Sequence, residues 1–168
     1  FFDIIWHIVP KGVFTINYMN EAIKESAKNL STGEGGPFGA VVVKNGKIIG
    51  RGHNEVIKNN DPTCHGEMQA IRDACKNLGT YDLTGCELYT SAYPCPMCLG
   101  AIIWSNIKTV YYGNAAEDAA AIGFRDAFIY EFIEGHCSDN AVLKLQQLDR
   151  DQAIKVFEQY KKNNQTIY

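Results

Sequence analysis

Two short motifs constrain this chain more than anything else in it. Cys64-His65-Gly66-Glu67 supplies an imidazole and a carboxylate. Pro94-Cys95-Pro96-Met97-Cys98 supplies two thiols, with Cys95 thirty residues after His65. A fold that brings both motifs to one place creates a metal site from His65, Cys95 and Cys98. Three such ligands with an open fourth position form a catalytic zinc pattern, and Glu67 is left over as a general acid/base. A closed structural site would need a fourth protein ligand, for which His53 and Cys64 are candidates.

The spacing also says where these residues must sit. In a helix interior His65 and Glu67 would point roughly 200° apart. They converge only at a helix start, with His65 just outside the regular turn and Pro62-Thr63 marking the beginning. Cys95 and Cys98 also open a helix, where Pro96 is favoured because its missing N–H is no loss. Two helix N-termini therefore face the metal, each with roughly +0.5 of partial charge favouring thiolate over thiol. Zn²⁺ with two thiolates and a neutral imidazole is formally neutral, and catalytic zinc sites activate water near pH ~7. Proton shuttling by a group such as Glu67 contributes on the order of 10²–10⁴-fold. A lone C-x-x-C is more often structural zinc or redox chemistry, and a lone H-x-E means little. Their conjunction points to hydrolysis.

Periodicity and turn residues supply the frame. Asn20 is expected to cap a helix running to about Leu30, followed by a Gly-rich loop from Ser31 to Pro37. Strands Phe38 to Val43 and Ile48 to Gly52 flank Asn45-Gly46, a hairpin signal. A helix from Thr63 to Leu78 stops at Gly79. A strand from Glu87 to Ser91, a helix from Pro96 to Ser105 and a strand from Thr109 to Gly113 follow. Ala115 to Ala121 and Asp149 to Lys162 complete the helices. The expected class is α/β: a three-layer α/β/α domain around a central mixed sheet of about five strands.

Net charge is −3, and Lys161-Lys162 is the one Lys/Arg doublet, so a basic nucleic-acid-binding stripe is missing and a nucleic-acid partner is disfavoured. Six cysteines, two of them in metal spacing, fit a reduced cytoplasmic compartment. The apolar run Phe1 to Val9 is too short to span a bilayer, so no membrane partner is expected. Residues 1–18 read as an added leader or an unusual extension, or equally as a short strand or helix packed on the core, and residues 19–168 as a single domain.

From about Met19 to Tyr168 the chain resembles the cytidine deaminase-like superfamily, and within it the bacterial guanine deaminases. The supporting stretches are Gly36-Pro37-Phe38-Gly39-Ala40-Val41-Val42-Val43, Asp61-Pro62-Thr63, Cys95-Pro96-Met97-Cys98-Leu99-Gly100-Ala101-Ile102, Gly123-Phe124-Arg125-Asp126 and the C-terminal Tyr168. The resemblance implies zinc on His65, Cys95 and Cys98, with Glu67 as proton shuttle. It implies a small-molecule nucleobase substrate, held by Asn54 and Asp126 with Phe38 stacked on the ring. It also implies that Trp104 and Tyr168 close the pocket, in a homodimer with an exchanged C-terminal segment. A carboxylate at Asp126 would suit the paired N1–H and 2-amino donors of guanine. Each substrate residue also has a plainer role: Phe38 in the core, Asn54 in a turn, Asp126 as a helix cap. Two residues depart from the pattern: Tyr93 stands where the family has Glu, and Gly66 where it has Ala. Fungal-type cytosine deaminases share His-Gly-Glu and the Gly52-His53-Asn54 triplet. Deamination of guanine to xanthine is thus expected first. The alternatives are cytosine, guanosine or another aminated ring, transfer-RNA adenosine, and a non-catalytic zinc scaffold.

Overall fold

The computed structural model describes residues 17–167. These divide into two compact units, one ending at Asp126 and the other beginning at Ala127. The expected leader lies outside the described residues except for Asn17 and Tyr18, which belong to the first helix.

That helix, α1 (Tyr18–Ala27), starts earlier than expected: Asn17, not Asn20, is its N-cap, accepting a hydrogen bond from the Asn20 N–H at 3.0 Å. A short α2 (Asn29–Thr32) takes up the start of the predicted loop and ends on Gly33 in the left-handed region. Strands β1 (Gly39–Lys44) and β2 (Lys47–His53) form the predicted hairpin. Asn45 and Gly46 both have positive φ (50° and 73°), the backbone that a two-residue primed turn requires.

The chain continues through α3 (Val56–Asn59), α4 (Gly66–Leu78), β3 (Cys86–Ala92), α5 (Pro96–Trp104), β4 (Thr109–Asn114) and α6 (Ala116–Ala121). Helix α4 begins three residues later than predicted, because His65 is its extended N-cap; it ends where predicted, on Gly79. The sheet is mixed and ordered β2-β1-β3-β4, with only the β3–β4 pair parallel. It has four strands among the described residues, fewer than the expected five or so.

β1 explains the three layers. It is buried on both faces, so alternate residues serve two cores. Val41 and Val43 pack with Ala22 of α1 on one side. Ala40 and Val42 pack on the other with Ala70, Ile71 and Ala74 of α4 and Ile102 of α5. Fully burying one such branched side chain contributes about 1.5–3 kcal/mol. α4 meets β2 closely because Gly50 and Gly52 lack side chains; a Cβ at either would strike the α4 backbone.

The second unit, described by itself, contains α7 (Ala127–Glu134) and α8 (Arg150–Lys162). The former is absent from the sequence reading; the latter matches it.

Candidate active site

His65 and Cys95 occupy equivalent positions. Each is an extended helix N-cap (ψ 159° and 167°) and neither caps its helix through its side chain. The carbonyls start the helices, accepting from Gln69 N–H at 3.0 Å and Leu99 N–H at 2.9 Å. Both side chains are thereby left for other use at a positive helix end. Cys98 lies one turn into α5, at the spacing that sets N-cap and third-residue side chains next to each other.

His65 Nδ1 lies 3.5 Å from Cys95 Sγ and 3.7 Å from Cys98 Sγ. A tetrahedral zinc site with ordinary Zn–N and Zn–S bonds has an N···S edge of about 3.6 Å, so these three donors fit that ion. Neither candidate fourth ligand joins them. Cys64 Sγ donates instead to Asp61 Oδ2 at 3.3 Å. His53 pairs with Glu34. The set therefore stays at three protein ligands among the described residues.

The charges suit metal uptake. Cys98 donates toward Cys95 and His65 adds its own hydrogen bond, bringing the Cys95 pKa to about 4 despite burial. Cys98, as donor and buried, is held far above the ordinary thiol range. The Cys95 sulfur in turn raises His65. A metal ion would displace the protons that this cluster retains.

Glu67 stands on the buried stripe of α4 with Ala70, Ile71 and Ala74 and is 5% exposed. Its Oε1 accepts from the Thr90 hydroxyl at 3.0 Å, and its Oε2 lies 3.5 Å from Cys98 Sγ. Burial pushes its pKa up, while the Thr90 bond and others oppose the shift. A buried carboxyl with a raised pKa, beside a metal-type cluster, is equipped to carry protons. Thr90 was missed by the sequence reading, since a threonine in a strand reads as an ordinary strand former.

The proposed substrate residues are less closely gathered. Asn54 is buried and accepts from Val56 N–H through Oδ1 at 3.1 Å, so the plainer turn role is realised. Its N–H donates to Phe38 O at 2.9 Å, which joins these two residues. The Phe38 ring meets Phe124 edge-on, with centroids 4.9 Å apart. Asp126 is half-buried in the connection after α6. Trp104 is the last residue of α5, six residues beyond Cys98, and is 71% exposed. Tyr168 is outside the described residues.

The two departures have local explanations. A Cβ on Gly66 would lie 3.0 Å from the Gly39 Cα and 3.1 Å from Phe38 O, so its absence lets α4 sit close to the start of β1. Tyr93 packs edge-on against Tyr112 at 5.1 Å and donates its N–H to Asn114 O at 2.8 Å, supporting the turn before Cys95.

The family described as cytidine and deoxycytidylate deaminase zinc-binding region matches residues 14–114. That range holds both motifs, Phe38 and Asn54, but not Asp126. A guanine deaminase of Bacillus subtilis is 49% identical over 125 residues, 74% of this chain and 80% of that protein. A tRNA-specific adenosine deaminase of the same organism is 48% identical over 96 residues, 57% of this chain and 59% of its own length. The X-ray structure of guanine deaminase from Bacillus subtilis superposes with a TM-score of 0.83 at 42% identity, covering 90% of this chain and 96% of that one.

Proposed function

The chain belongs to the cytidine and deoxycytidylate deaminase zinc-binding family, and on that premise we propose that it hydrolyses guanine to xanthine and ammonia. The observation that carries the proposal is the three-donor cluster of His65, Cys95 and Cys98 beside buried Glu67. These residues would hold one zinc ion, whose chemistry when bound is the activation of water. Glu67 would accept one proton from the attacking water and deliver it to N3 of the ring, then accept the second from the new C2 hydroxyl and deliver it to the departing amine, so that ammonia leaves as the C2 carbonyl forms. Thr90 keeps one carboxylate oxygen engaged while the other faces the cluster.

Asp126 accepts from the N1–H and 2-amino group, Asn54 holds another edge of the base, and Phe38 packs on the ring. Guanine is favoured over transfer-RNA adenosine by two observations. The likeness to the guanine deaminase extends over 80% of that protein, against 59% for the adenosine enzyme. The net charge of −3 also argues against an RNA surface. No helix among the described residues is long and apolar enough to cross a membrane, and a cytoplasmic homodimer with an exchanged C-terminal segment is part of the proposal. A monomeric mass in solution would contradict that part.

Ammonia release from guanine, guanosine, cytosine, cytidine and adenine by zinc-loaded protein tests the substrate. Guanine turnover is expected. Turnover of a different ring would keep the hydrolytic chemistry and overturn the roles given to Asn54 and Asp126.

A further inference from the structure

The Gly-rich segment before Phe38 is held in place by side chains that take no part in the chemistry described above. The amide of Asn29, a buried residue, spans two backbones: Nδ2 donates to Gly36 O and to Asn54 O, both at 2.7 Å. Its Oδ1 accepts from Thr32 Oγ1 at 3.1 Å, so both amide hydrogens and the oxygen are engaged.

A second tie lies alongside. His53 Nε2 donates to Glu34 Oε2 at 2.7 Å, and Glu55 Oε1 stands 3.8 Å from the same nitrogen. A carboxylate can only accept, which fixes the ring proton on Nε2. The other ring nitrogen lies 3.8 Å from Glu25 Oε2 of α1. Lys58 joins the two outer carboxylates, 3.2 Å from Glu34 and 2.6 Å from Glu55. Gln69 of α4 donates to Glu55. The Glu34 carbonyl accepts from Ile57 and Lys58 N–H, each at 3.0 Å. Gly35 is pressed so close to Asn54 that a Cβ there would collide with its side chain.

We infer that His53 and Asn29 are positioning residues, a clamp that fixes the Gly33–Phe38 loop against the Asn54 turn and so sets affinity for the base. The inference rests on the guanine reading, because Phe38 and Asn54 are its base contacts. Metal ligands and Glu67 lie outside this network, so the clamp acts on substrate binding and not on the chemical step. With Lys58 already supplying positive charge between the two glutamates, His53 serves as a donor and not as a second metal ligand.

His53→Ala removes the outer tie, and His53→Gln keeps a donor at a similar reach. For the zinc-loaded His53→Ala protein, KM for guanine should rise about tenfold, the effect of one lost hydrogen bond to a charged group, with kcat nearly unchanged. Hydrogen exchange at the Asn54, Ile57 and Lys58 amides should quicken. His53→Gln should restore both, and zinc content should stay constant. Should His53→Ala fail to fold, Glu34→Ala removes the same bond from the loop side. A fall in kcat at constant KM, a glutamine variant that behaves like alanine, or unchanged exchange would overturn the clamp. If the wild type turns over no ring, the guanine reading falls. Amide exchange then decides alone: loosening in His53→Ala that glutamine reverses supports the clamp, and its absence refutes it.

Discussion

The metal end and the base end of this site are built differently. His65, Cys95 and Cys98 are set by two helix starts, and Glu67 by the buried stripe of α4. Backbone geometry and core packing leave these groups little freedom. The base contacts proposed above come instead from a glycine-rich segment (Phe38), a turn (Asn54) and the connection after α6 (Asp126), and Asn29 ties the first two segments together. The metal cluster is thus anchored at two helix starts, whereas the proposed choice of ring rests on loop and turn residues.

The difference is sharpest for Glu67→Gln. Zinc content should be retained while turnover falls on the order of 10²–10⁴-fold for any ring accepted. Removing the metal with a chelator should likewise end turnover, and readdition should restore it. Turnover that survives in Glu67→Gln would break the assignment at the metal end.

At the base end, Asp126→Ala should lower kcat/KM for guanine about a hundredfold, from two charge-assisted hydrogen bonds lost. Steady-state kinetics on guanine and on a ring without a 2-amino group would reveal whether the loss is selective. Thr90→Val removes a hydroxyl donor with almost no change of shape. We expect kcat about tenfold lower, zinc content intact, and recovery in Thr90→Ser. Equal kcat in Thr90→Val would mean that the Thr90 hydroxyl does not position Glu67.

The smallest effect is expected at Tyr93. Tyr93→Ala loses the edge-on contact with Tyr112, about 1 kcal/mol. The melting temperature should fall by roughly 3 °C while the rate per zinc stays the same. A large rate loss would mean that Tyr93 serves the pocket after all.

The same division governs what could be read from residues alone. Asn45-Gly46, Pro96 and Gly79 each announce a local backbone geometry, and the turn and helix ends they mark are present. The convergence of His65 with Glu67 was legible because only a helix start permits it. The first helix was placed too late because Asn17 and Asn20 are both good caps, and packing of Tyr18 and Met19 against Val41 and Val43 decides between them. The four-residue α3 has no side-chain cap to announce it. Thr90, Asn29 and the His53–Glu34 pair act across long sequence separations, which no local pattern encodes. Trp104 rests on the resemblance alone, since an aromatic residue at the end of an apolar helix announces no role by itself.

The most direct measurement sets Glu67→Gln and Asp126→Ala side by side, each zinc-loaded, on guanine and on the best competing ring. Glu67→Gln should lose activity on both rings, and Asp126→Ala on guanine alone. Equal loss on both rings in Asp126→Ala, or activity retained in Glu67→Gln, would contradict the separation of a fixed chemical end from an adaptable base end.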